Sequence, residues 1–262
     1  MSPTLVATLV GLGGIGGFAA GLLGLGGGVL MFPLLYYVPP LFVIERMDAK
    51  TVAAIVVSQV FFSTLTGGIA HFRSGRVQSR LAVTAGTISA ITAFAGSVAS
   101  QWASERFLLM LFGVVTVMVV VIMLLPVPAR NEDTAIGNVF VPPLPLAVYS
   151  SMTGVIIGFL GAGNFIFVPI LIYLLRVPTR IAIGSNLVVA IMSTASGFLG
   201  KLITGQIPFV ATVIVVTGAM LGALAGERVH RQLSSVVLRR IYAAMVALIA
   251  IRVWLTILGF DK

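Results

Sequence analysis

The chain is 262 residues long, 59% hydrophobic and only 9% charged, with a formal net charge of +9 and a mean hydropathy of +1.14. Ordinary globular domains carry roughly 25% charged residues, so this composition excludes a soluble fold and points to an all-α polytopic membrane protein. The lack of cysteine excludes disulfides, thiolate metal sites and iron–sulfur chemistry, and basic residues scattered through short links argue against a nucleic-acid partner.

Apolar runs close to the ~20 residues a helix needs to cross a bilayer follow one another from Leu5 to Leu258. The first, 4–23, lacks a basic n-region and leads straight into a glycine cluster, so it reads as a mature span rather than a signal peptide. Nine more elements fall at 28–44, 51–71, 80–101, 106–126, 144–160, 164–176, 181–203, 207–226 and 237–258. The longest polar stretch, 128–143, holds Arg130, Asn131, Glu132, Asp133 and the Pro142-Pro143 pair. It divides the chain into a first repeat, 1–127, and a second, 144–262, of five elements each.

The two halves repeat one another. Gly21, Gly24 and Gly26 are matched 137 residues later by Gly158, Gly161 and Gly163, and each cluster runs on to a proline, Pro33 or Pro169. At an offset of 130, Ser63, Thr64, Thr66 and Gly67 align with Ser193, Thr194, Ser196 and Gly197, and Gly75-Arg76-Val77 with Gly205-Gln206-Ile207. Thr92, Gly96 and Ser100 align with Gly218, Gly222 and Gly226, a small-xxx-small spacing that lets helix backbones approach closely. The basic bias of the links swaps between the halves. After the third element stand Arg73, Arg76 and Arg80 against Lys201 alone in the second half; after the fourth, Arg106 alone against Arg228, Arg231, Arg239 and Arg240. Such a swap is what two inverted repeats predict, with each glycine-containing pair of elements forming broken or re-entrant helices.

All seven acidic residues, Glu45, Asp48, Glu105, Glu132, Asp133, Glu227 and Asp261, lie in links or at element ends. Proton pumps and cation carriers usually keep a carboxylate in the membrane, so a cation carrier is disfavoured and an anion carrier stays open. The glycine clusters suit one. Non-helical backbone survives in hydrocarbon only where it lines a cavity or is buried in protein. A helix starting after Gly26, Gly27 and Gly28, or after Gly163 and Asn164, offers free N–H groups and the positive end of its dipole to an anion. The competing reading is close helix packing through glycine.

Polar stripes supply neutral donors. Gln59, Ser63, Thr66 and Gly67 share one face of the third element, and Asn186, Ser193 and Gly197, with Ser185 alongside, share one face of the eighth. The alternative is that the hydroxyls bond back to their own helices. His71 and Lys201, four residues beyond Gly67 and Gly197, could relay a proton or an anion, although helix-end positions favour snorkelling to the headgroups. Arg252 lies well inside the last element, and Tyr36, Tyr37, Trp102 and Trp254 read as an interfacial aromatic belt. No His-x-x-x-His spacing, acid pair or nucleophile elbow occurs, so neither a metal, nor a cofactor, nor enzymatic catalysis is expected.

The doubled glycine cluster with its proline, the run Gly184-Ser185-Asn186-Leu187, and the Gly-[Arg/Gln]-[Val/Ile] triplets resemble the TauE/SafE sulfite exporter family over essentially the whole chain. The resemblance implies a permease for small sulfur-containing anions, such as sulfite, thiosulfate, sulfoacetate or related organosulfonates, in a bacterial or archaeal inner membrane. By position, Gly24, Gly26, Gly27, Gly28 and Pro33 match the first family motif, and Gly161, Gly163 and Pro169 the second. The second cluster departs from the pattern with Asn164-Phe165, the first half carries Ala54-Ile55-Val56 in place of a small polar triplet, and Asn186 replaces serine, so the site is expected to be asymmetric. The reading is a secondary transporter working by alternating access. Its anion sits between the glycine clusters, contacted by backbone N–H groups and by Gln59, Ser63, Ser185, Asn186 and Ser193, with membrane lipids around it and protons or sodium as candidate coupling ions. An anion channel sharing the same site is the alternative.

Overall fold

A computed structural model describes residues 3–23, 28–42, 47–72, 77–125, 140–230, 232 and 235–259. The described residues contain no strand and form helices α1 (Pro3–Leu23), α2 (Gly28–Tyr37), α3 (Ala49–Phe72), α4 (Ser79–Ala99), α5 (Glu105–Leu124), α6 (Pro143–Leu160), α7 (Asn164–Pro169), α8 (Thr179–Ile203), α9 (Phe209–His230) and α10 (Ser235–Ile257). Each falls within one of the predicted apolar elements or overlaps most of it. The two glycine-led elements are the exceptions in length. α2 stops at Tyr37, short of 44, because Pro39 and Pro40 cannot donate to a continuing helix, and the chain turns through a 3-10 segment at Pro39–Phe42. α7 gives way after Pro169 to a π-helical turn, Ile170–Leu174, closed by Leu175 N–H to the Ile170 carbonyl at 3.0 Å.

Helices α1, α3, α4, α5, α6, α8 and α9 each contain an apolar stretch long enough to cross a bilayer, while α2, α7 with its π turn and the apolar part of α10 are shorter. Their outward faces carry Val83, Ile91, Val114, Val121, Leu221 and Leu248, all exposed. An apolar exterior of this kind is the surface a lipid-facing protein presents.

Small residues decide which helices pair. α1 packs most extensively on α9, and α4 on α6 and α8. Gly13, Gly17 and Gly21 of α1 abut the backbone of Val215, Ala219 and Ala223, while Gly218, Gly222 and Gly226 of α9 abut Val10, Gly14 and Phe18 in return. The α4–α6 pair repeats this, with Gly154 and Gly158 against Ser89 and Ala93, and Gly96 against Val155. The first helix of each half therefore packs on the fourth of the other. Gly21, which heads the first glycine cluster in sequence, belongs to this packing. Gly161 closes α6 in the left-handed conformation, φ 71°, with its α-carbon pressed against Ala53 and Val57 of α3. Gly161→Ala meets both the backbone strain and the clash, and is expected to cost ~2 kcal/mol or more, read as a lowered thermal unfolding midpoint of the purified protein.

α3 and α8 run antiparallel through the centre. Val57 meets Gly197, Phe61 stacks on Phe198, and the amino end of α3 at Lys50 and the carboxyl end of α8 at Lys201 reach the same turn after α4. The aromatic belt is partly corrected. Trp102 is 76% exposed, as a belt residue should be, but Tyr36 is buried in the core and donates to Glu105 Oε1 at 2.8 Å, tying the end of α2 to the start of α5.

Candidate functional site

The two glycine clusters meet. Gly26 and Gly27 lie outside the described residues, but Gly28 opens α2 buried against the second cluster: a methyl group there would stand 2.7 Å from Ala162 Cβ and 3.0 Å from Val60 Cγ2 of α3. Gly163 caps α7 and is held against Thr153 and Ile157 of α6, with no room for a side chain. Backbone from both halves thus converges on the middle of α3, and only glycine or alanine permits the approach. α2 continues as a ten-residue helix, whereas α7 has only six α-helical residues. On that side Asn164, the first residue of α7, carries the polar character through its amide side chain.

Three amides stand out because burial and satisfaction disagree. Gln59, Asn164 and Asn186 are all buried, yet Gln59 Oε1 and both amide atoms of Asn164 and of Asn186 have no hydrogen-bond partner within the protein. Gln59 Nε2 donates to Ser63 Oγ at 3.0 Å. Nearly all buried polar groups are paired, and leaving one unpaired costs ~1–3 kcal/mol, so five such atoms on α3, α7 and α8 are the candidates for contacting a ligand. Thr64 and Thr153, also buried, have unpartnered hydroxyls. Thr153 is not among the residues found from sequence, where a single threonine in an apolar helix gives no signal.

The hydroxyls divide. Ser193 donates to its own helix at the Val189 carbonyl, 2.6 Å, as Thr66 does to Phe62 at 2.7 Å. Both follow the back-bonding alternative, although each oxygen keeps acceptor capacity. Ser185 accepts from the Gln78 N–H at 3.1 Å, fastening α8 to the residue before α4. The residues are also spread along the seam. Gln59 is two positions from Val57, while Asn186 is eleven from Gly197, which faces Val57. At 1.5 Å rise per residue the two amides stand ~13 Å apart along the antiparallel pair. The structure therefore groups Gly28, Gln59, Ser63, Gly163 and Asn164 near the glycine contact and sets Ser185 and Asn186 further along α8.

Lys201 requires a correction. It does not snorkel: the residue is 0% exposed, and its Nζ donates to Ser100 Oγ at 2.7 Å and Gln206 Oε1 at 3.1 Å. Gln206 in turn donates to the Ser97 carbonyl, 3.0 Å, and to Thr204 Oγ1, 2.7 Å, so the whole group is hydrogen-bonded. Close packing of α4 against the last turn of α8, where Gly200 touches Ser97, walls the amine off from the membrane surface. The His71 side chain lies outside what the structure describes. Arg252 is exposed and stacks over the Tyr37 ring at 5.2 Å. No group of His, Asp or Glu capable of holding a metal occurs among the described residues.

Membrane-length helices, an apolar exterior and buried amides without protein partners define a multi-pass membrane protein with polar side chains in its interior. The family profile described as Sulfite exporter TauE/SafE matches residues 9–253, and the chain belongs to that family. It is similar to a probable membrane transporter protein of Xylella fastidiosa (strain Temecula1), 33% identical over 95% of each chain. Similar too is the probable membrane transporter protein YdhB of Bacillus subtilis, 23% identical over 85% of this chain and 89% of its own. YunE of the same organism, also named a probable membrane transporter protein, is 23% identical over 87% and 89%. No solved structure matches significantly. The protein is a membrane transporter.

Proposed function

We propose that the protein is a secondary transporter that moves a small sulfur-containing anion, of the sulfite, thiosulfate or organosulfonate kind, by alternating access between two inverted repeats, 1–127 and 144–262. The observation that carries this reading is the set of five buried, unpartnered amide atoms, those of Gln59 and Asn164 near the meeting point of the glycine clusters and those of Asn186 ~13 Å further along α8. Of these atoms the Asn164 and Asn186 Nδ2 groups are donors, and neutral amide donors suit an oxyanion that must also leave, because they stabilise its charge less tightly than a cation would. The absence of any acidic residue from the middle of the described spans agrees with anionic cargo. The exchange of packing partners between halves, α1 on α9 and α6 on α4, supports inversion. The family description supports the sulfur chemistry.

The test is uptake of radiolabelled thiosulfate and sulfoacetate into proteoliposomes. Gln59→Ala with Asn186→Ala is expected to raise the half-saturating concentration at least ~10-fold, the consequence of losing one or two hydrogen bonds to a charged ligand. Unchanged affinity in a folded sample would sink the site. Electrical recording separates this reading from a channel, whose currents would far exceed the turnover of alternating access.

A further inference from the structure

We infer that Lys50 and Lys201 form a second anion station at one end of the α3–α8 seam, taking a small tetrahedral oxyanion on its way to or from the amide site. This rests on the transport reading above. The two amines come together through consecutive residues of one turn: Lys201 Nζ donates to Ser100 Oγ at 2.7 Å, and Lys50 Nζ to the Gln101 carbonyl at 2.9 Å. Neither has a carboxylate partner among the described residues. Asp48, two residues from Lys50, accepts instead from the Thr51 N–H at 2.6 Å, and Glu105 accepts from Tyr36.

Two amines therefore share a largely enclosed corner with neutral partners only. The carbonyl end of α4 offsets roughly half an elementary charge. A buried cation without a counter-ion is costly, and a visiting anion is the group that would cancel it. Donor capacity remains for one. An ammonium has three N–H groups; Lys50 uses one and Lys201 two. Lys50 is half-buried and gives access, while Lys201, fixed by Ser100 and Gln206, gives a preset position.

The experiment measures thermal stabilisation by sodium thiosulfate at constant ionic strength in lipid-free detergent. It compares the wild type, Asn164→Ala/Asn186→Ala, and the same double variant carrying Lys50→Gln or Lys50→Arg. Lys50 is chosen because its partly exposed side chain can be changed without opening the core. The amide variant is expected to keep a weaker, saturable stabilisation. Lys50→Gln should raise the half-saturating concentration of that residual phase ~10-fold, as expected for losing a charged hydrogen bond, and Lys50→Arg should restore it. A residual phase indifferent to Lys50→Gln, or no residual phase at all, overturns the second station. If instead the amide variant binds like wild type while Lys50→Gln still weakens binding, the amide site fails and the lysine station stands. A parallel series adds phosphatidylglycerol to the micelles; a Lys50→Gln effect seen with lipid and not with thiosulfate assigns the corner to a headgroup and overturns the proposal.

Discussion

Asn164→Leu combined with Asn186→Leu is expected to yield a protein that is more stable than the wild type and does not transport. Leucine nearly matches asparagine in shape, and both side chains are buried with neither amide atom paired. Removing a buried unsatisfied amide recovers ~1–3 kcal/mol per residue, which should appear as a rise of several degrees in the unfolding midpoint in detergent. Thiosulfate uptake should fall at least ~100-fold, since an oxyanion would then face hydrocarbon where it had donors. The two readouts move in opposite directions, so misfolding cannot imitate the result. A drop in stability would mean that the amides serve the fold, and retained uptake would mean that the anion path lies elsewhere. A stability cost carried at a site because function needs it is a familiar trade-off.

The second large effect is structural. Gly222→Val should abolish recovery of folded, monodisperse protein, because its side chain would enter the space occupied by the Gly14 carbonyl and the Phe18 backbone of α1. The α1–α9 contact is the most extensive in the molecule, and in lipid it is held by van der Waals packing rather than by hydrophobic exclusion. A forced separation there is expected to cost ~3 kcal/mol or more. Gly222→Ala should give a milder loss in the same direction. Gly11→Ala, on the partner helix α1 but with nothing within 4 Å of the added methyl, should be neutral or stabilise by ~0.5–1 kcal/mol through helix propensity. Unfolding midpoints of the three variants check the order.

Much of the helix inventory was legible without coordinates because hydropathy is a local property. Each span must shed polar groups over its whole length, and prolines such as Pro39, Pro40 and Pro178 punctuate the ends. Burial was harder to read. In a helix such as α5, whose sequence from Phe107 to Leu125 is almost wholly apolar, lipid and protein interior demand the same residues, so periodicity does not reveal the inward face. Lys201 shows the consequence. At the end of an apolar run a lysine reads as an interfacial residue, and only the packing of α4 against α8 encloses it. Tyr36 was obscured in the same way.

The sequence by itself determined the membrane class, the ten elements, the duplicated glycine clusters and the absence of acidic residues from the middle of the spans. These follow from composition and from spacing within single segments. Only the tertiary structure decided that Gly28 meets Ala162, that Gly21 packs on α9 while Gly163 packs on α6, and which polar side chains are left unpaired. It also decided that Gln59 and Asn186 occupy different levels of one antiparallel pair. Each of these depends on contacts between helices far apart in the chain, and in a protein apolar inside and out no local pattern encodes which small or polar residue will find a partner.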